Sequence, residues 1–169
     1  MATSEANELI ALLEDQHTFA GHAIQNTTAE ALNWKPASTP SDSLAGLVHH
    51  VVEVQRLWLD TVIGGDPVPE GLATAHQAIA DSSESLQRMM DESLVRSKAR
   101  LESLTAAQMD ETRERRGRTV TVRWAAYHTL EHTAMHVGHM QITRQVYDEQ
   151  AGVKQPVAVN AGQAPERDS

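Results

Sequence analysis

The stretch "TVRWAAYHTLEHTAMHVGHMQITRQVYD", residues 121–148, reads as one long helix and carries His128, His132, His136 and His139. The whole chain holds only 9 His in 169 residues, so four within twelve positions is a marked local excess. Thr121 suits the N-cap, because its hydroxyl can take one of the free N–H groups at a helix start. Each helical residue advances about 100° around the axis. With His128 at zero, His139 falls near 20°, His132 near 40° and His136 near 80°. Arg123, Gln141, Arg144 and Asp148 fall between roughly 160° and 220°, opposite the histidines. Ala125 and Val146 share the histidine arc, with Met135 and Ile142 at its edge, so the histidines are expected to face the core. Leu130 and Val137 lie on the outer side and call for a loop or a second subunit to cover them.

Three more helices precede this one. The first spans about Ser4 to Ile24, with Leu9, Ile10, Leu13, His17, Ala20 and Ile24 on one stripe. Pro36 and Pro40 break the following segment, although "TAEAL" can form a helical turn. The second runs from about Leu44 to Ile63, capped by Ser41 or Ser43 and stopped by Gly64-Gly65. The third begins between Leu72 and Ser83 and ends near Leu104. Residues 105–121 then form a polar connection, partly extended, whose "RERRGR" (113–118) reads as a solvated loop. No internal repeat is visible, and no strand pattern exceeds a few residues. The fold class is therefore all-α, a four-helix bundle in one domain over 1–150, with a mobile C-terminal tail at 151–169.

The second helix sharpens the reading of the fourth. Leu47, Val51, Val54, Leu57 and Trp58 form its apolar stripe at spacings of three and four, and His50 falls inside that stripe. His49 shares a face with Glu53, Arg56 and Asp60 and reads as solvated, as do His22 and His76, which receive no role. A lone inward histidine is usually a satisfied core residue. Several facing one another are different, because an unpartnered buried polar group costs about 1–3 kcal/mol and clustered imidazoles cannot all charge. A divalent cation resolves this by taking one nitrogen from each neutral ring. Two His one turn apart can chelate from one helix, and a third from a facing helix closes the triangle. His50 with two of His128, His132 and His136 meets that description, and spacing leaves the pair open. The remaining one, with Glu131, Glu53 or His17, is a candidate to orient the ligand rings. His139 and Trp58 are pocket candidates.

Composition narrows the classes. A net charge of −9 argues against non-specific nucleic-acid binding, which needs Lys and Arg to displace counterions. With 0 Cys, any metal must be held by His, Asp or Glu. There is no apolar run of about 18 residues, hence no membrane span. The N-terminus lacks the basic region of an export signal, which makes the cytoplasm the expected compartment. "HTLEH" (128–132) also fits the H-x-x-E-H pattern of inverted zinc proteases. That reading needs another ligand well downstream, and it leaves His136 and the inward His50 unexplained.

"TVRWAAYHTLEHTAMHVGHMQITRQ" resembles the last helix of the DinB/YfiT-like family, and "SLAGLVHHVVEVQRLWL" resembles its second helix with a single ligand histidine. "ALNWKPA" and the polar loop after it match the connection between them. The likeness covers most of residues 5–148. It is similar in particular to the branch whose last helix reads "RW…H…E…H.GH…R", here Arg123, Trp124, His128, Glu131, His136, Gly138, His139 and Arg144. The resemblance implies an up-down-down-up bundle and a divalent metal held by His50, His132 and His136; zinc or nickel is the expected ion, since imidazole suits both. It also implies dimers, and activities that use a low-molecular-weight thiol such as mycothiol or bacillithiol. The expected function is a metal-dependent thiol-S-transferase or hydrolase-like enzyme acting on a small molecule. The alternative is a metal-stabilised binding or stress protein without turnover.

Overall fold

The computed structural model describes residues 3–37 and 42–153. Its principal helices are α1 (Ser4–Ile24), α3 (Leu44–Gln55), α4 (Ser83–Glu102) and α6 (Val122–Ala151). Short helices α2 (Ala29–Asn33) and α5 (Ala106–Met109) sit in the connections. The tail from 154 onward, expected to be mobile, lies outside the described residues. The starts follow from capping hydroxyls. Thr3, Ser43, Ser82 and Thr121 each accept the N–H three residues on, which supplies a partner to a donor that the helix itself leaves free.

Pairs of side chains fix the direction of each rod. Arg123 Nε donates to Glu5 Oε1 at 2.9 Å, and Arg144 reaches the Ala23 carbonyl at 3.3 Å, so α1 and α6 run parallel. Lys98 pairs with Glu14 while Gln87 lies against Gly21, so α4 runs against α1. His50 faces His136, and Trp58, in the helical continuation of α3, faces Trp124, so α3 and its continuation run against α6. The course is up-down-down-up. α1 and α3 both pack on α4 and α6 and therefore occupy opposite corners of the bundle.

The core falls into two apolar halves. One gathers Ile24, Leu32, Leu44, Val48, Leu86, Met90 and Met140; the other gathers Leu9, Leu59, Leu101, Met109 and Val122. Between them lies a buried polar layer with one residue from each rod. Gln55 Oε1 accepts from Ser93 Oγ at 2.7 Å, and Gln55 Nε2 donates to Thr133 Oγ1 at 3.1 Å and to His17 Nε2 at 2.9 Å. Because the Gln55 amide donates, His17 Nε2 is the acceptor and the ring is neutral with its proton on Nδ1.

Several expectations need correction. The buried face of α6 carries Val122, Ala125, Ala126, Thr129, Thr133, Val137, Met140, Arg144 and Asp148. Its centre therefore lies roughly 120° around from His128, not on the histidine arc. Only His136 falls inside it, and Met135 and Ile142 are exposed. Val137 is 2% exposed and belongs to the core, so the bundle itself covers it. Arg144 and Asp148, read as solvated, are buried as a pair at 2.8 Å. The Arg144 guanidinium also donates to the carbonyls of Ala23 and Gln25 and to Thr27 Oγ1, closing the free carbonyl end of α1. That need for donors overrides the charge.

The connection before α6 is a hairpin, β1 (Thr112–Arg115) paired antiparallel with β2 (Arg118–Thr121). Arg116 and Gly117 both have positive φ, 49° and 76°, as a two-residue turn of matching twist demands. Only Val120 of its residues is buried, so no alternation of apolar residues announced it. The second long helix also changes type. After Gln55 it widens into a π-helical segment, Arg56–Ile63, which ends with Gly64 N–H bonded five residues back to the Leu59 carbonyl.

Candidate metal centre

Three imidazoles converge between α3 and α6. His50 Nε2 and His132 Nε2 are 3.2 Å apart, and His132 Nε2 and His136 Nε2 are also 3.2 Å apart. The three ligand atoms all lie within 4.8 Å of one another. Nitrogens held 2.0–2.1 Å from one tetrahedral ion are about 3.3 Å apart, so two of the three edges already have a ligand spacing. His132 and His136 reach the point from successive turns of one helix, and His50 from the facing helix. Spacing left the pair on α6 open; here His132 and His136 share the cluster, while His128 points to an aromatic group beside it.

The electrostatics suit neutral ligands. Burial lowers the pKa of His50 to about 4, with His76 and His136 adding to the effect. Burial and the neighbouring His136 and His50 lower His132 to about 3. Burial and His139 lower His136 to about 4. All three rings are therefore unprotonated near neutral pH, with lone pairs available to a cation. Imidazoles alone form the group among the described residues, which suits zinc, nickel, copper or iron better than magnesium or calcium.

The surrounding residues divide into those that touch these rings and those that do not. His139, itself exposed, places Nδ1 3.3 Å from His136 Nδ1, where it can accept the proton of a ring that uses Nε2 elsewhere. Glu131 is exposed and bonds His128 Nδ1 at 3.2 Å, so its contact is one ring removed from the cluster. His17 is spent on Gln55 in the polar layer, and Glu53 on Arg56. Trp58, carried on the π-helical segment, meets Trp124 at 5.4 Å and His128 at 5.1 Å, both edge to face. Trp124 stacks on His128 at 4.6 Å, and Arg118 of the hairpin lies 4.4 Å over the Trp124 ring. Beyond them a cavity of about 420 Å³ opens between α1 and α6, lined by Leu12, Gln16, Trp124, Tyr127 and His128 among others.

Two residues were missed. His76, read as solvated, stacks on His50 with centroids 4.0 Å apart and planes 29° from parallel. Its Nδ1 lies 3.0 Å from Asp42 Oδ2. No periodicity marks them, because both lie outside the long helices. His49 is half-buried rather than solvated, while His22 is exposed.

A family profile described as mycothiol-S-transferase matches residues 8–149. The uncharacterized protein YkkA of Bacillus subtilis is 24% identical over 145 residues, covering 79% of this chain and 82% of its own. Among solved structures, a conserved protein from Enterococcus faecalis superposes with a TM-score of 0.73 at 16% identity, over 86% of this chain and 97% of that one. A DinB-like protein, YjoA of Bacillus subtilis, superposes with a TM-score of 0.62 at 23% identity, over 90% and 94%. These structural likenesses concern the fold, and they agree with the bundle derived above. On the match across most of its length, the chain belongs to the mycothiol-S-transferase family.

Proposed function

We propose that this protein is a metal-dependent transferase that joins a low-molecular-weight thiol to a small electrophile, with His50, His132 and His136 holding one divalent ion. The observation that carries the reading is the convergence of three imidazoles whose ligand atoms lie within 4.8 Å of one another, two of the three separations being 3.2 Å. When bound, such an ion supplies a Lewis acid of undiminished double charge, which lowers the pKa of a thiol at the remaining position. The chain's residues do the rest. His139 Nδ1 accepts the outward N–H of His136 and holds that ring's tautomer. Trp58, Trp124 and His128 pack into an aromatic group on one side of the cluster. In the reaction the thiolate sulfur bonds to the electrophilic carbon, the leaving group departs with the bonding pair, and the thiol proton passes to solvent.

No helix among the described residues is long and apolar enough to cross a membrane. A cytoplasmic location, a small-molecule substrate and a homodimer belong to the same reading, with zinc or nickel as the ion and mycothiol or bacillithiol as the thiol. The test is conjugation of a fluorescent bimane electrophile by metal-loaded protein, with each thiol in turn. Wild type should exceed the uncatalysed rate by at least about a hundredfold, as positioned acid–base or electrostatic groups do, and His136→Ala should fall to background. If both stay at background across a broad panel of electrophiles while metal still binds, the protein is a metal-stabilised binder without turnover.

A further inference from the structure

The ligand imidazoles are not all fixed in the same way. His136 has His139 behind its Nδ1. His50 has nothing there: its Nδ1 is buried and lacks a hydrogen-bond partner. A metal-ligating histidine ordinarily donates its outward N–H to a carboxylate, carbonyl or water, and this bond sets the ring's orientation. Something else must hold His50.

The geometry points to His76 as the positioning residue for His50, acting through its ring face and not through a hydrogen bond. The two rings overlap at 4.0 Å, with planes 29° apart. His76 is brought there by the short 3₁₀ turn Ala75–Gln77, which lies against α3 with Ala75 buried at 3% exposure. The approach depends on Gly46, one turn before His50. A Cβ at that position would stand 2.9 Å from the His76 carbonyl oxygen, closer than real side chains come to backbone. Asp42, just ahead of the helix, places Oδ2 3.0 Å from His76 Nδ1, a close polar contact without hydrogen-bond geometry. Glycine, turn and carboxylate thus combine to lay one flat ring on another. A stacked partner restricts rotation of His50 about its side-chain bonds, and it does so without occupying either nitrogen.

This inference rests on the proposed metal reading for its consequence, but its physical content can be measured without metal. In the metal-free protein, the carbon-bound ring protons of His50 should show an upfield ring-current displacement. His76→Phe should keep that displacement and His76→Ala should reduce it to the share that the His132 and His136 rings supply. With Co²⁺ as the probe ion, His76→Ala should weaken binding by about 10–100-fold, the usual cost of losing an outer contact to a ligand. His76→Phe should stay within about threefold of wild type, since it preserves a stacking face. Asp42→Asn, which leaves the backbone undisturbed, should shift both readouts in the direction of His76→Ala and keeps the test available if that variant does not fold. Unchanged His50 resonances in His76→Ala, or a His76→Phe variant as weak as His76→Ala, would overturn the inference. A wild type that shows the ring-current shift but takes up no Co²⁺ contradicts the metal reading and leaves the stack standing.

Discussion

Gln55 donates its side-chain N–H to the Nε2 of His17 at 2.9 Å, joining opposite corners of the bundle through its centre. The same amide carries Ser93 and Thr133, so one side chain satisfies polar groups from three other rods. Gln55→Leu keeps the volume and strands those partners, His17 Nε2 above all. It should lower the unfolding free energy by about 2–3 kcal/mol, the cost of one or two unpaired buried groups. Urea denaturation measures this. A variant with the wild-type midpoint would mean that the layer contributes nothing.

His17 also gives stability a pH dependence. Burial lowers its folded pKa to about 4, against 6.5 for an imidazole in water. Below pH 6.5 the unfolded chain binds a proton that the folded chain refuses until about pH 4. Stability is thus full above 6.5, declines as pH falls to about 4, and levels off beneath, a change on the order of 3 kcal/mol. In metal-free protein His50, His132 and His136 add to the same slope, because their folded values are lowered too. Urea midpoints taken at intervals from neutral to acid pH should show this fall. His17→Leu should remove about one proton's share of the slope, and an unaltered slope would contradict it.

The four long helices, the Ser43 and Thr121 caps and the candidate histidines were legible because each is a local pattern of period 3.6 or a single capping hydroxyl. The errors arose where long-range packing overrode local chemistry. A wheel assigns Arg144 and Asp148 to solvent because they are charged, and only the free carbonyls ending α1 explain why they are buried. The hairpin carries one buried apolar residue, and its only sequence signal is Gly117 in a positive-φ turn. His76 reaches His50 from a turn 26 positions away, through a gap that exists because residue 46 has no side chain. The widening after Gln55, which carries Trp58, has no Pro or Gly to announce it.

Arg144 and Asp148 make a pair that is costly to break singly. Arg144→Met leaves a buried carboxylate without its partner and the α1 carbonyls without their donors, and should cost about 3–5 kcal/mol. The double variant Arg144→Met, Asp148→Leu should recover part of that loss, since the stranded charge is gone. Thermal unfolding of the three proteins measures both steps. A single variant as stable as wild type would show that the pair is ornamental.

His139 tests the environment of the cluster from the other side. His139→Ala removes the acceptor 3.3 Å from His136 Nδ1, and should weaken Zn²⁺ binding by about 10-fold without abolishing it. His139→Gln, which retains an acceptor, should recover most of the affinity. Competition with a chromophoric chelator reads both, and equal affinity in all three proteins would contradict the assignment.

The most direct measurement is Co²⁺ titration of metal-free protein followed by its visible absorption. Wild type should bind one ion per chain, and His50→Ala, His132→Ala and His136→Ala should each lose at least about a hundredfold in affinity, whereas His128→Ala should stay close to wild type. A wild type that takes up less than about a tenth of an equivalent, or three single variants that bind as tightly as their parent, would contradict a shared ion among these rings.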